Sequence, residues 1–112
     1  MRYMLWICDD GAPSPGPAEI VAMPEFIEWE RGLSERGIPH RGVRLRPPSE
    51  AVTVRVRGGE TLVADGPFAE TKEQIGGYEI IECADLDEAI EVAGGHPAAA
   101  RYPVEIRPFW EG

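Results

Sequence analysis

The apolar residues near the start of the chain occupy consecutive positions instead of alternate ones. In an extended conformation, residues 2–8 would place apolar side chains on both faces: Tyr3, Leu5 and Ile7 on one, Met4, Trp6 and Cys8 on the other. A strand with this pattern is typical of the centre of a sheet that is covered on both sides. We therefore predict a central strand over residues 2–8.

The first helix is predicted over residues 24–36. A proline at its first position fits the opening turn of a helix, and Phe26, Trp29 and Leu33 follow at near-helical spacing. These three side chains would form one apolar face. Gly37 is a natural C-terminal stop.

A second pairing of strand and helix is predicted in the second half of the chain. Residues 78–83 form an apolar run with Ile80 and Ile81 on opposite faces. The segment 85–88 (Asp-Leu-Asp-Glu) is a capping box, in which the first aspartate accepts from the glutamate N–H while the glutamate reaches back. We expect the helix to end at Gly94-Gly95.

The remaining strands are separated by turn formers. Strand-like runs occupy residues 39–46, 51–57, 61–64 and 104–109. Two of them are joined by Arg57-Gly58-Gly59-Glu60, which is typical of a tight hairpin. Residues 9–23 are rich in proline and glycine, and we predict a loop there.

The predicted order of elements is β–α–β, a hairpin, and then β–α–β. This order predicts a single α+β domain over residues 1–112, with a ferredoxin-like βαββαβ fold and an inserted β-hairpin. Two helices cover only one face of the sheet, so the apolar side chains of the other face need a second cover. Another copy of the chain is the simplest cover, and we expect a homodimer with its sheets face to face.

Charge and cysteine content narrow the class of protein. A net charge of −9 argues against a nucleic-acid or anionic-membrane surface, and no apolar run approaches the roughly 20 residues that span a membrane. Six arginines cluster between residues 36 and 57; they either pair with acids or face water, or they form a site for a small anion. Cys8 and Cys83 have neither metal nor redox spacing, so we expect reduced thiols in a cytoplasmic protein.

The densest polar stretch joins two strand-like runs at residues 65–78, Asp-Gly-Pro-Phe-Ala-Glu-Thr-Lys-Glu-Gln-Ile-Gly-Gly-Tyr. The chain must turn after Asp65, because Pro67 lacks an N–H and Gly66 tolerates unusual backbone angles. Gly76-Gly77 then allows close approach of a neighbouring backbone. Such a loop can present charged and hydroxyl side chains to a cleft, although turn loops on small domains are also charged simply because they are solvated.

With its flanking sequences, this stretch resembles the YCII-related proteins, in particular the subgroup named for its Asp-Gly-Pro-Phe (DGPF) motif. The flanking matches are residues 2–5, 53–55, 85–89, 96–97 and 104–108, so the resemblance covers nearly the whole chain. It implies a dimeric α/β barrel of the ferredoxin-like kind. The proline-rich loop at residues 11–24 and His40 depart from the usual pattern.

The functional implications of the resemblance are less direct, because the family is largely uncharacterised. Its fold is similar to that of small cofactor-free enzymes such as muconolactone isomerase, and one YCII relative is regarded as a dehydrochlorinase. A histidine and an aspartate are the working pair suggested for the family. Several members of the DGPF subgroup are encoded beside extracytoplasmic-function sigma factors, which implies a regulatory setting.

Asp65 and His96 are therefore the candidate catalytic residues. A histidine can move a proton near neutral pH, and a carboxylate partner fixes its tautomer. The alternatives are that His96 only occupies the end of a helix and that Asp65 only forms the turn.

Four further residues are candidates for substrate binding: Thr71, Lys72, Glu73 and Arg107. The first three offer a donor, a cation and an acid, while an arginine on the last strand can clamp a carboxylate. Ion pairing at the surface explains Lys72, Glu73 and Arg107 equally well. No phosphate-binding glycine loop is present and the two histidines lack ligand spacing, so we expect neither a cofactor nor a metal.

Two functions of different classes follow. The first is a cofactor-free lyase or isomerase acting on a small anionic or aromatic molecule, which requires His96 and Asp65 to meet beside a pocket. The second is a non-catalytic binding or regulatory module working with a sigma factor, which requires an apolar patch left exposed after dimerisation.

Overall fold

The computed structural model describes residues 1–9, 19, 22–67 and 74–111. Within these residues there are six strands, two α-helices and two short 3-10 helices. Their bounds are β1 Arg2–Asp9, α1 Pro24–Glu35, β2 His40–Arg44, a 3-10 helix Pro48–Glu50, β3 Val52–Arg57, β4 Glu60–Asp65, β5 Gln74–Glu82, α2 Leu86–Gly95, a 3-10 helix Pro97–Ala100 and β6 Val104–Pro108. Of the predicted loop at 9–23 the structure describes residues 9, 19, 22 and 23; Asp9 ends β1 and residues 19 and 22 are helical, so the prediction is wrong at these three positions. Thr71, Lys72 and Glu73 lie outside the described residues.

The main sheet has four antiparallel strands in the order β2-β5-β1-β6. This is a mixed α+β architecture, compatible with the ferredoxin-like fold predicted from the order of elements. The central strand β1 matches the prediction for residues 2–8, because it is bonded on both sides. In the ladder, Leu5 lies between Glu79 and Ile106, and Glu79 in turn pairs with Gly42.

The hydrophobic core lies between the sheet and the two helices. Tyr3, Leu5 and Ile81 project from the sheet and are almost completely buried, and Phe26 and Leu33 bury the predicted apolar face of α1. The two helices are also joined directly, since the Trp29 indole N–H donates to the Val92 carbonyl at 2.9 Å.

On the opposite face the two central strands also carry apolar side chains, as the pattern of residues 2–8 predicted, whereas the edge strands place Arg41, Glu105 and Arg107 there. Met4, Trp6, Tyr78 and Ile80 are half-buried there, and the rings of Trp6 and Tyr78 meet edge to face with their centroids 6.1 Å apart. The chain itself therefore removes these side chains only partly from water.

Two details of the second half differ from the prediction. Asp85 accepts a hydrogen bond from the Glu88 N–H as expected. The Glu88 carboxyl, however, accepts from the N–H of Ala84 and not from that of Asp85. Strand β5 begins at Gln74 and not at Tyr78, so the paired glycines lie inside the ladder. Gly77 fits there because a Cβ at this position would come 2.9 Å from the Val43 carbonyl oxygen.

Strands β3 and β4 form a separate two-stranded hairpin. Gly58 and Gly59 both have positive φ, which is the backbone requirement of the favoured two-residue hairpin turn. At the other end, the Gly66 N–H donates to Ala51 and the Thr53 hydroxyl donates to the Gly66 carbonyl, which fixes the turn predicted after Asp65. The hairpin carries exposed valines on one face.

Candidate functional site

A cavity of about 220 Å³ opens where α1, the ends of three strands and the segment after α2 meet. Its walls are largely apolar or glycine, with Ile7, Phe26, Val43, Tyr78 and Ala98 among the lining residues. Three charged side chains and a histidine also line it: Glu30, Arg44, Glu79 and His96. The cavity is smaller than the roughly 300–1,000 Å³ typical of sites for drug-sized ligands, so it suits a small molecule.

Glu79 is an acidic residue at a core position. It faces the helices because it lies in register with Leu5 of β1, and only 5% of its surface is exposed. Its Oε2 atom is buried and has no hydrogen-bond partner among the described residues. Burial, followed by the nearby charge of Glu30, raises the pKa of Glu79 to about 7, although His40 acts in the opposite direction.

Gly42 provides the space that the Glu79 carboxyl occupies. The two residues are cross-strand partners in the β2–β5 ladder. A Cβ at position 42 would lie 2.6 Å from Glu79 Oε2 and 2.5 Å from its Cδ. The carboxyl group therefore lies across the backbone of the edge strand at a position where any other residue would displace it.

His96 lies in the connection between α2 and the following 3-10 helix, where its Nδ1 accepts from the Ala98 N–H at 3.0 Å. Its ring contacts Trp29 and Phe26 edge to face, at centroid distances of 4.7 and 5.4 Å. Burial lowers the pKa of His96 to about 4, so the imidazole is neutral at physiological pH. Because Nδ1 is an acceptor, the neutral ring carries its proton on Nε2.

The comparison with known proteins decides the family. Residues 1–111 match the YCII-related domain. The chain belongs to the YCII-related family. It is also similar to an uncharacterized protein of Rhizobium meliloti (strain 1021), with 49% identity over 91 residues that span 78% of this chain and 72% of that protein.

The sequence-predicted site residues of this YCII-related protein fall in different places. His96 lines the cavity, whereas Asp65 is exposed at the end of β4 and is not among the lining residues that the structure describes. Arg107 is exposed on β6 and forms an ion pair with Glu105 at 2.9 Å, the alternative considered from the sequence. Thr71, Lys72 and Glu73 lie outside the described residues.

Sequence reasoning missed Glu79 and Glu30, whereas Arg44 belongs to the arginine cluster for which a small-anion site was one interpretation. A signal for the first was present, because alternate residues of β5 share a face and Glu79 falls in the same series as the buried Ile81. An acid at a core register of a strand is rare unless it is paired or functional. Glu30 carried no comparable signal, since it lies in a stretch that contains several charged residues, and nothing in the sequence distinguished Arg44 from the other arginines of its cluster.

The described part of the chain lacks two further kinds of feature. No group of three or more His, Cys, Asp or Glu side chains there has an arrangement that could hold a metal ion. No helix among those residues is long and apolar enough to cross a membrane. Cys8 and Cys83 are not joined by a disulfide bond; Cys83 is buried and Cys8 is half-buried.

Proposed function

We propose that this YCII-related protein is a cofactor-free lyase or isomerase that moves a proton on a small molecule bound in the cavity. The observation that carries the proposal is the buried Glu79 carboxyl, which borders the cavity, has a pKa raised to about 7 and has an oxygen with no hydrogen-bond partner among the described residues. Leaving such a group unpaired costs stability, and strongly shifted carboxyl groups concentrate at functional sites.

Glu79 is the acid–base residue in this mechanism. A group whose pKa lies near the working pH is present in both protonation states, which is the condition for efficient general acid–base catalysis. As the carboxylate, Glu79 removes a proton from a substrate carbon, and the C–H electron pair moves into the substrate. Return of the proton to a different atom gives an isomerase. In a lyase, the C–H pair forms a new C=C bond while a leaving group on the neighbouring carbon departs with the electrons of its own bond.

His96 supplies a hydrogen-bond donor in the same cavity. Since its pKa is about 4, it is a poor general base at neutral pH, but its neutral Nε2–H can donate to an oxygen on which negative charge develops. The Asp65–His96 pair expected from the sequence stays a prediction. The cavity wall offers His96 two other acids, Glu30 and Glu79, and Glu79 is the one that is buried.

The test is exchange of the methyl protons of acetophenone with D2O, followed by ¹H NMR. We expect the wild-type protein to accelerate exchange, with a rate that rises with pH around a midpoint near 7 as Glu79 loses its proton. Glu79→Gln should lower the rate by roughly 10²–10⁴-fold, the usual contribution of a general base. Glu82→Gln is the matched control on the same strand, because Glu82 is exposed and lies outside the cavity wall. Equal exchange rates for the wild-type protein and Glu79→Gln would contradict the proposal.

The assembly we propose is a homodimer in which the open sheet faces of two copies pack together. Its support is the half-buried apolar set on that face: Met4, Trp6, Tyr78 and Ile80.

The motif that begins at Asp65 supports placing the chain in the DGPF subgroup.

A second candidate function is a non-catalytic binding or regulatory module that works with an extracytoplasmic-function sigma factor. The observation in its favour is the β3–β4 hairpin, on which the cross-strand partners Val54 and Val63 are 58% and 65% exposed. Co-purification with a co-expressed sigma factor that is lost in Val54→Lys would favour this function. Failure to co-purify would count against it.

A further inference from the structure

Arg44 lines the same cavity as Glu79 and lies on the neighbouring strand. It is the last residue of β2 and pairs with Gly77 in the ladder, whereas Gly42 pairs with Glu79. Residues 42 and 44 share a face of the strand and are separated by about 7 Å, the rise of two residues. Arg44 and Glu79 therefore line neighbouring parts of one cavity.

Arg44 also lacks a counter-ion within the described part of the chain. Five other arginines form ion pairs with glutamates there: Arg2, Arg31, Arg36, Arg46 and Arg107. The charges that shift the pKa of Glu79 are those of Glu30 and His40, so Arg44 is not the partner of Glu79 either. Arg41, Arg57 and Arg101 also form no ion pair among the described residues, but Arg44 is the arginine that lines the cavity, where it is placed to meet an anionic group of a bound molecule.

We propose that Arg44 binds a carboxylate of the substrate, and that the substrate is a small carboxylic acid whose reacting carbon lies beside Glu79. This inference rests on the proposed function. A planar guanidinium matches a carboxylate with two parallel hydrogen bonds. The negative charges of Glu30 and Glu79 repel a carboxylate from their side of the cavity, which fixes the direction in which the molecule enters.

The rest of the cavity lining determines which group can lie between the carboxylate and the reacting carbon of the substrate. Apart from Glu30, Arg44, Glu79 and His96, the lining is mostly apolar or glycine, with Ile7 and Phe26 among the side chains available for contact. A cavity of about 220 Å³ admits one ring or a short chain. The class is therefore a compact aromatic or aliphatic carboxylate that has an acidic C–H at the end opposite its carboxylate.

The test compares 4-acetylbenzoate with acetophenone, which differ only in the carboxylate, by NMR titration of the ¹⁵N-labelled protein. We expect 4-acetylbenzoate to bind about tenfold more tightly or better, as one charge-assisted pair allows. Arg44→Met should abolish this preference, and Arg44→Lys should retain part of it. Arg41→Met is the matched control, since Arg41 is on the same strand but on its other face.

The outcomes separate this inference from the proposed function. A preference that survives in Arg44→Met overturns the role of Arg44, even if acetophenone exchange still depends on Glu79. A preference that disappears in Arg44→Met and persists in Glu79→Gln supports it. If the preference depends on Arg44 but neither the wild-type protein nor any variant accelerates proton exchange, Arg44 is confirmed as an anion-binding residue and the proposed reaction is overturned.

Discussion

The carboxyl group of Glu79 lies over Gly42 on the neighbouring strand, in space that a side chain at position 42 would fill. The acid and the glycine therefore form one structural unit, although 37 residues separate them along the chain. Because no described residue forms a hydrogen bond with Glu79 Oε2, within this part of the chain the position of the carboxyl depends on the shape of its surroundings.

Gly42→Ala should destabilise the protein by roughly 1–3 kcal/mol, the usual cost of overpacking. The physical reason is the clash with the Glu79 carboxyl, so the same substitution in a Glu79→Ala background should be neutral or stabilising. Urea unfolding of the four proteins gives the coupling free energy of the pair. An equal cost in both backgrounds would show that the clash with Glu79 is not the cause.

Gly32→Ala should stabilise the protein, and it serves as a matched control for adding a methyl group. Gly32 lies inside α1, and nothing approaches the position of its missing Cβ within 4 Å. Alanine restricts the unfolded chain and favours a helix interior by about 0.5–1 kcal/mol. A higher thermal midpoint is expected. A lower midpoint would contradict the open space beside Gly32.

The fold could be predicted because its signals are local. The consecutive apolar positions of residues 2–8 predict the central strand, and the spacing of Phe26 and Leu33 predicts the buried face of α1. The Asp85 cap is formed within four residues. Each of these depends on neighbours close in sequence, so periodicity and capping chemistry were sufficient.

The site could be predicted only in part, because its residues meet through long-range register. His96 was identified from its sequence context, but Glu79 is functional in this interpretation only because β5 pairs with Gly42 on one side and Leu5 on the other. No periodicity within one strand reveals which residue of another strand will lie opposite. The polar motif at 65–78 drew attention instead, since its charges are adjacent in sequence.

Ile80→Arg should convert the proposed homodimer to a monomer. Ile80 is half-buried on the open face of the sheet, and an arginine there would place a charge in the proposed interface. Ile90→Arg is the matched control, because Ile90 is 52% exposed on α2 and lies away from that face. Light scattering after size exclusion measures the masses. A monomeric wild-type protein, or a dimeric Ile80→Arg variant, would contradict the proposed assembly.

The pH dependence of stability should reveal opposite contributions from Glu79 and His96. The pKa of Glu79 is raised from 4.5 to about 7, so the folded protein holds a proton there that the unfolded chain releases, and stability falls as the pH rises through this window. The pKa of His96 is lowered from 6.5 to about 4, so the unfolded chain binds the extra proton and stability rises with pH. The two effects largely cancel between about pH 4.5 and 6.5.

Removing either side chain should reveal the pH dependence of stability that the other one causes. In Glu79→Gln, stability should rise with pH between about 4 and 6.5, and in His96→Asn it should fall between about 4.5 and 7, each by up to about 1.4 kcal/mol per pH unit. Asparagine is chosen because its side-chain oxygen can still accept the Ala98 N–H that caps the 3-10 helix. Urea unfolding at half-unit pH steps measures both slopes, with Glu82→Gln as the reference. Parallel curves for the two variants would mean that these groups do not carry the opposed pKa shifts on which the mechanism relies.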